Sequence, residues 1–343
     1  MLPLLPFMVL PPSEERMSPS MIGRRLLLLL CLCPAAGAVT DLNLRAESGG
    51  QAAVVATPGA QVSYSIVGEL SDTSSMGLAM VSFDLAFSGG SLTQAANPSS
   101  NPMKNFASPL GLNNPAGFGG TVVGGTLVQV GGAQNTIANT FASAPIGSVL
   151  TDVAQSGSPE VLATGTLTAP TQCGTYTLTI DNVMANVIRA GEDGDPFWAV
   201  DPAGVGDKLS LTVTVEAMFT DVSTLSVGNT GSAHFTLEAG LANANRPYWV
   251  LGTFNGTTPG LTLAGGTHIP LNPSLYLSFT LTRPNTGLLQ NSLGFLNANG
   301  HAASTFNLPH VPAQAAGLVL DHAFILLQPI NFASNAVEVT LVP

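Results

Sequence analysis

Apolar side chains alternate with polar ones along most of this chain, and this period of two is typical of half-buried β-strands. Val62, Tyr64 and Ile66 alternate with serines, and the pattern returns at 81–87, 176–180, 209–215, 235–237, 275–281 and 337–341. No window keeps the apolar spacing of 3.6 residues that an amphipathic helix requires. The pattern predicts an all-β protein in which residues 275–281 form a strand.

Turn-forming residues separate the predicted strands, with 37 Gly and 25 Pro among 343 residues. Closely spaced strands without crossover helices favour antiparallel sandwiches over a parallel sheet. A chain of this length has room for about two domains, and a break falls near 217–223, after the strand "LTVTVEAMF". We therefore predict two antiparallel β-sandwich domains in tandem, at 39–218 and 222–343.

The first predicted domain contains a Gly- and Asn-rich segment at 97–140. Phe106, Leu110, Leu112 and Phe118 give this segment apolar anchors that a flexible linker lacks. We expect an ordered insertion or a long loop there.

Residues 1–38 follow the order of a secretory signal peptide. Arg24-Arg25 precede a run of leucines, and the small residues Ala36-Gly37-Ala38 follow it. If translation starts at Met17 or at Met21, residues 1–16 or 1–20 are not part of the leader. The leucine run is too short for a membrane span, so we expect an exported mature chain without one, secreted or associated with the cell surface.

Charge and cysteine content narrow the class further. The chain has 9 Lys+Arg against 20 Asp+Glu, a formal net charge of −11. Without basic clusters it lacks the groups that bind phosphates, which excludes a nucleic-acid partner.

Removal of the leader leaves Cys173 as the only cysteine, so the mature chain forms no internal disulfide and its stability depends on core burial.

Several segments of the first domain follow one another in a recognisable order. "VATPGAQVSYSIVGEL" holds a Pro-Gly turn and an alternating strand, and "VSFDLAF", "GTYTLTI" and "DKLSLTVTV" follow it. In this order they resemble the cohesin-like and carbohydrate-binding-module group of β-sandwiches, over about residues 43–216. The resemblance implies a β-sandwich, and the 97–140 insertion departs from a compact cohesin.

The second domain resembles a different module, one that recurs at the C-terminus of large secreted bacterial proteins without an assigned activity. The resemblance spans about 225–343 and rests on "PYWVLGTFNGTTPGLTL", "HIPLNPSLYLSFTL", "GFLNANGHAASTFNLP" and "NFASNAVEVTLVP". It implies an exported accessory β-sandwich and transfers no catalytic residue.

Motifs for nucleophilic, metal-dependent or nucleotide chemistry are absent from the sequence, including G-x-S-x-G, H-E-x-x-H and the P-loop. All five histidines fall in the second domain at spacings that fit no metal template: His234, His268, His301, His310 and His322. We expect surface or hydrogen-bonded histidines. Asp321 and His322 are adjacent in a predicted strand, so their side chains should point to opposite faces and form no dyad.

The acidic stretch "GEDGDPFWAVDPAGVGD" at 191–207 is unusual in a chain with 8% charged residues. One interpretation is a solvated loop between strands. A second is a calcium site, because Glu192, Asp193 and Asp195 with nearby backbone carbonyls offer the hard oxygen ligands that Ca²⁺ takes. Trp198 is then a candidate ligand contact in the same loop. The sequence predicts no other cofactor.

Taken together, these features predict a non-enzymatic exported protein with a binding or structural role, in contact with polysaccharide or with another extracellular protein. Two alternatives stay open. One is a polysaccharide-degrading enzyme, or its accessory subunit, that uses the acidic loop at 191–207. The other is a self-assembling envelope component. The chain has 2 Trp and 4 Tyr. These are few aromatic side chains to form both a flat sugar-binding surface and a catalytic cleft, which favours the non-enzymatic interpretation.

The predicted leader has a testable consequence. Cleavage after Ala38 leaves Val39 as the first residue of the secreted protein, because small residues at 36 and 38 fit the specificity of the signal peptidase. N-terminal sequencing of secreted material should read Val-Thr-Asp-Leu. A sequence that starts at Cys31 or Cys33 would instead establish a lipoprotein.

Overall fold

The computed structural model describes residues 40–98, 118–134, 136, 149–191 and 198–343, so the predicted leader lies outside the described residues. We call residues 40–216 the first half and 217–343 the second half. The first half contains the strands β1 (Asp41–Glu47), β2 (Ala53–Ala56), β3 (Gln61–Leu70), β4 (Leu78–Phe87), β5 (Thr121–Val123), β6 (Thr126–Ala133), β7 (Glu160–Thr168), β8 (Gly174–Ile188), β9 (Val200–Pro202), β10 (Gly204–Leu209) and β11 (Leu211–Val215).

Two sheets of the first half form a sandwich. One is four-stranded in the order β10-β1-β3-β7, and the other is seven-stranded in the order β2-β11-β8-β4-β6-β5, with β9 paired to β8. Their facing side chains share one core, which includes Leu42 and Ile66 from the first sheet and Phe83, Leu178 and Val213 from the second. The alternation predicted from sequence is confirmed here, since β11 alternates buried and half-buried residues along its length.

The sheets are not purely antiparallel as predicted. β1 pairs in parallel with β10, and β2 pairs in parallel with β11. In both cases a strand near the start of the chain pairs with one near the end of the half, and β10 and β11 are separated only by residue 210. The chain therefore passes from one sheet to the other at that residue, and each parallel pair lies at or near a sheet edge.

Part of the 97–140 segment is an integral portion of the seven-stranded sheet rather than an insertion or loop. β5 and β6 pair with each other, and β6 pairs with β4 in the sheet interior. Leu127 and Val130 are buried in the shared core. The apolar run "TLVQV" is therefore a core strand, and residues 99–117, with three of the four predicted anchors, lie outside the described residues.

The second half contains β12 (Met218–Thr220), β13 (Thr224–Ser226), β14 (Gly231–Glu238), β15 (Pro247–Thr253), β16 (Leu261–Thr262), β17 (His268–Ile269), α1 (Leu275–Thr282), β18 (Leu289–Gln290), β19 (Leu293–Phe295), β20 (His301–Leu308), β21 (Val319–Leu326) and β22 (Val337–Val342). A four-stranded sheet, β12-β14-β20-β18, and a five-stranded sheet, β13-β22-β21-β15-β19, contribute to one core. A further apolar cluster, with Leu251, Leu277 and Ile325, joins β15 and β21 to α1.

The prediction of a strand at 275–281 is wrong, because these residues form α1. Ser274 begins the helix: its hydroxyl accepts a hydrogen bond from the backbone N–H of Leu277 at 3.0 Å. This is the standard N-cap arrangement, and it satisfies a donor that the first helical turn leaves free. Leu277 and Thr280, three residues apart, are buried, whereas Leu275 is 82% exposed. The buried residues of α1 therefore have helical spacing. The alternating leucines in its sequence are typical of a strand, which is why the sequence pattern predicted one.

The boundary between the halves lies before Ala217. Met218 is fully buried in the core of the second half and belongs to β12. The side chain of Asn335 accepts hydrogen bonds from the backbone N–H groups of Ala217 and Met218 at 2.7 and 3.0 Å, and its amide donates to the Met218 carbonyl at 2.8 Å. All of these residues belong to one compact unit of the chain.

We expect fragments 39–216 and 217–343 each to fold as β structure, because each contains its own paired sheets and core. Fragment 222–343 lacks β12, so the Met218 site is empty and the Asn335 amide loses three partners. Emptying a core site of this size costs about 2–5 kcal/mol. Urea unfolding followed by circular dichroism should give 222–343 a lower midpoint than 217–343. Equal midpoints, or two fragments that do not fold, would contradict this division.

Candidate functional site

The acidic loop is only partly described. Glu192, Asp193 and Asp195 lie outside the described residues, so the calcium site stays a prediction. Asp201 forms a two-point ion pair with Arg189, with Nε–Oδ2 at 3.1 Å and Nη2–Oδ1 at 2.8 Å. The hydrogen bonds from Arg189 lower the pKa of Asp201. Within the described ranges, no group of three or more His, Cys, Asp or Glu side chains is arranged to hold a metal.

Trp198 does not present an open aromatic platform. Its side chain is half-buried and packs against the small apolar cluster of Ala79, Val149 and Ile188 at one end of the seven-stranded sheet. Its backbone N–H donates to the Thr136 carbonyl at 2.8 Å, and its indole Nε1 is buried and has no hydrogen-bond partner among the described residues. The indole therefore anchors the end of the acidic loop, and its predicted role as a ligand contact stays a prediction.

His322 is the one histidine in a core. It is fully buried, and its Nε2 lies 3.0 Å from the hydroxyl of Tyr276. Its ring packs against Phe235 and Phe306, with ring centroids at 4.8 and 5.1 Å. Burial lowers the pKa of His322 to about 3. The imidazole is neutral at ordinary pH, which makes it a structural core residue rather than a proton carrier.

Asp321 lies on the other side of the same strand, as predicted. It stands opposite Glu338 of β22 in the strand register. Burial and the charge of Glu338 raise the pKa of Asp321. The described hydrogen-bond partner of the His322 ring is the hydroxyl of Tyr276 and not the carboxylate of Asp321.

The outer face of the seven-stranded sheet has the features of a contact site. Its polar and small side chains alternate with the buried core positions of β4, β8 and β11. The register aligns Ala86 with Thr179 and Asp84 with Asp181 on this face. Met184 is 59% exposed on the same strand as Thr179. We call this surface the sheet face; its described members are Asp84, Ala86, Val128, Gln129, Thr177, Thr179, Asp181, Asn182, Met184, Thr212 and Thr214.

Asp84 organises the centre of the sheet face. One carboxylate oxygen accepts a hydrogen bond from the backbone N–H of Gln129 on β6 at 2.8 Å, and the other accepts one from the side-chain amide of Asn182 on β8 at 2.6 Å. At both places the strand register shifts by one residue, which marks a β-bulge on each side of Asp84. Bulges of this kind redirect side chains and occur next to functional sites.

Both bulges contain strained backbone. Gln129 has φ of 58° and Asn182 has φ of 48°, in the left-handed region that non-glycine residues rarely adopt. Such residues persist where surrounding contacts hold them, and they cluster at binding and catalytic sites. The carboxylate of Asp84 supplies that contact to both bulges at once. The carboxylate of Asp84 therefore holds the face around it in one shape.

Charge on the sheet face is mostly negative. Asp84 and Asp181 stand opposite each other in the register, and Lys208 of β10 lies 3.6 Å from Asp181 at the margin of the face. Thr179 donates a hydrogen bond to Asp181 at 3.3 Å. The surface combines carboxylates, hydroxyls and an exposed thioether, a combination that suits binding by charge and contact area.

Sequence analysis did not identify Asp84. Its place in "FDLAF" fits the polar positions of the alternation, and no local motif marks it. One feature of the sequence could have identified Asp84. Aspartate is rare in strands, so an aspartate within an apolar strand indicates that its carboxylate makes a specific contact there.

Comparisons with known proteins give distant likenesses. No family model matches the chain, and no curated protein does. The sixth cohesin of Acetivibrio cellulolyticus scaffoldin B, solved with a Cel5 dockerin mutant, is 16% identical with a TM-score of 0.30, covering 52% of this chain and 100% of the cohesin. The seventh ScaB type I cohesin of Pseudobacteroides cellulosolvens is 16% identical with a TM-score of 0.32, covering 51% and 92%.

A further likeness extends over both halves. The type II cohesin dyad from the ScaA scaffoldin of Acetivibrio cellulolyticus is 11% identical with a TM-score of 0.27, covering 89% of this chain and 98% of the dyad. Cohesins, the group whose likeness sequence analysis predicts for the first half, are thus among the solved structures that are similar to this chain. The resemblance of the second half to a C-terminal module stays a prediction. No helix of the described ranges has the length and hydropathy to cross a membrane.

The burial of His322 predicts a pH-dependent stability. Its folded pKa of about 3 lies below its ordinary value of 6.5. Its contribution to stability is therefore present above pH 6.5 and is lost as pH falls, because only the unfolded state binds the proton. Between pH 7 and 5 the loss is about 2 kcal/mol. Asp321, with a raised pKa, acts in the opposite direction.

Urea unfolding at pH 7 and pH 5 tests this contribution. The fall in unfolding free energy between the two pH values should be smaller by about 2 kcal/mol in His322→Gln than in the wild type. The exposed His301 gives the matched control, since His301→Gln should keep the wild-type pH dependence. An unchanged pH dependence in His322→Gln would show that the buried imidazole does not control it.

Proposed function

We propose that this chain is an exported, non-enzymatic binding protein whose sheet face contacts another extracellular protein. The observation that carries the proposal is the carboxylate of Asp84, which holds two strained bulges in the interior of the seven-stranded sheet. Backbone strain of this kind destabilises the free protein. A preformed contact surface is a functional reason for a protein to retain such strain, because a preformed surface loses less entropy on binding. Export rests on the predicted leader at 1–38.

The shape of the sheet face favours a protein partner over a small molecule. Its members are mainly short side chains on paired strands, including Ala86, Thr177 and Thr179. Such a surface lets another backbone approach closely over a wide area. Met184 adds an exposed, flexible apolar side chain that adapts to the surface it meets.

The charge of the sheet face indicates the chemistry of its partner. Asp84 and Asp181 lie at its centre, in a protein with a formal net charge of −11. A partner surface with Lys or Arg around an apolar centre is complementary to these groups. Such complementarity increases the association rate and selects among partners.

Aromatic side chains give less support to polysaccharide binding at the sheet face. Both tryptophans and all four tyrosines of the chain lie among the described residues, and each is buried or half-buried. The described exposed aromatics are Phe254 and Phe295, both in the second half. Sugar rings stack on open aromatic surfaces, and the sheet face offers none among its described members.

A capture experiment with face variants tests the proposal. The mature chain is immobilised, and extracellular proteins from the native organism are passed over it. Met184→Arg and Ala86→Arg place a bulky cation on the sheet face, which should weaken binding of the captured partner at least tenfold. Phe295→Arg is the matched control, because Phe295 is 74% exposed but lies on β19 of the second half.

Circular dichroism melting confirms that each variant is folded before binding is measured. The proposal expects a partner whose binding weakens in both face variants, persists in Phe295→Arg, and decreases as salt concentration rises. Failure to capture any protein that depends on the face, or a partner held equally by all three variants, would refute it.

A further inference from the structure

The two halves meet without a flexible linker. Only Glu216 and Ala217 separate β11 of the first half from β12 of the second half. The backbone N–H of Glu216 donates to the Ala56 carbonyl on β2 at 3.0 Å. The next N–H along the chain, that of Ala217, donates to the side chain of Asn335 at 2.7 Å. Consecutive residues are thus bonded to different halves, whereas domain boundaries usually fall in exposed segments with few contacts.

The turn between β7 and β8 of the first half is seated in the second half. The side chain of Cys173 in this turn packs against the apolar cluster that forms the core of the second half. Burial raises the pKa of the Cys173 thiol to about 11, and hydrogen bonds from the backbone of Asn335 and Ala217 act against that rise. Beside it, the side-chain amide of Gln172 donates to the Asn331 carbonyl at 3.3 Å.

A second contact joins Pro58 of the first half to Gly240 of the second half. Pro58 lies in the turn between β2 and β3 and is buried, although Gly59 beside it is exposed. Gly240 has φ of 79°, in the left-handed region that favours glycine. A Cβ at Gly240 would overlap the carbonyl oxygen of Pro58. The glycine therefore allows the two backbones to approach closely.

Hydrogen bonds connect the two contacts within each half. In the first half, the Gly59 N–H donates to the Ala169 carbonyl at 3.1 Å, which joins the two turns that contact the second half. In the second half, the Glu238 N–H donates to the Ala217 carbonyl at 2.7 Å, which joins the end of β14, close to Gly240, to the boundary between the halves. Movement at one contact therefore disturbs the other.

We infer that this junction holds the two halves as one rigid unit. A covalent link alone would let the halves rotate, and relative motion is the usual behaviour of domains that share a small interface. The bonded boundary and the contacts of Cys173 and Pro58 oppose that rotation together. β8 starts at Gly174, directly after Cys173, and continues through Thr179 and Asp181 of the sheet face. The second half therefore keeps one orientation relative to that face, whatever the face binds.

Thiol labelling tests the junction in the chain 39–343, in which Cys173 is the only cysteine. In the folded wild type at pH 7, a maleimide should modify Cys173 at least a hundredfold more slowly than in the urea-unfolded chain, because the thiol reacts only when the junction opens. Gly240→Ala pushes Pro58 away from the second half. Labelling of this variant should be at least tenfold faster than in the wild type, although its circular dichroism stays native.

Gly317→Ala is the matched control. Gly317 has a similar φ of 89°, and nothing lies within contact distance of a Cβ there. The substitution therefore introduces the same backbone strain without disturbing the junction, and labelling of Cys173 should keep the wild-type rate. Low concentrations of urea separate the two routes to labelling further. Opening of the junction exposes little surface, so the accelerated rate in Gly240→Ala should depend on urea less than global unfolding does.

Distances between spin labels at Met184→Cys and Phe295→Cys report the orientation directly, because these exposed residues lie in different halves. A short reaction leaves the buried Cys173 unmodified. The doubly labelled chain should give one narrow distance distribution, and addition of Gly240→Ala should broaden it. Rapid labelling of Cys173 in the wild type, or a broad distribution without Gly240→Ala, would overturn the inference even if that variant does not fold. A folded Gly240→Ala that matches Gly317→Ala in both measurements would overturn it as well.

Discussion

The carboxylate of Asp84 is the interaction on which the shape of the sheet face depends. It joins three strands, because Asp84 belongs to β4 and its hydrogen-bond donors belong to β6 and β8. Hydrogen bonds to a charged group contribute about 1.5–3 kcal/mol each. Left-handed backbone at a non-glycine residue costs about 1–3 kcal/mol. The two effects are of similar size, so removal of the carboxylate should release at least one of the bulges.

Much of the architecture follows from the alternation of side chains, and the exceptions have physical causes. The strands that contain Ile66, Phe83 and Val213 are predicted correctly because one face of each is buried in a sandwich core. Residues 275–282 break the rule because Leu275 is exposed while Thr280 is buried, so hydropathy gives the wrong buried face. Ser274, directly after Pro273, is the cap signal that indicates a helix there.

The candidate sites were less predictable than the fold. Asp84 acts through groups that are 45 and 98 residues away in sequence, and no local pattern identifies such partners. The turn at Gln172 and the loop at Asn331 likewise meet although they are 159 residues apart in sequence. The acidic stretch, by contrast, is evident in the sequence, and the described part of it uses Asp201 for an ion pair with Arg189. Glu192, Asp193 and Asp195 lie outside the described residues, so the calcium hypothesis for this stretch stays a prediction.

Hydrogen exchange at the Gln129 amide tests most directly whether Asp84 holds the sheet face in shape. This amide donates to the carboxylate of Asp84 at 2.8 Å, so its protection should depend on Asp84. In the wild type it should be protected, and in Asp84→Ala its exchange should accelerate at least a hundredfold while the amide of buried Leu85 on β4 stays protected. A Gln129 amide that exchanges freely in the wild type, or one unaffected by Asp84→Ala, would contradict a preformed face.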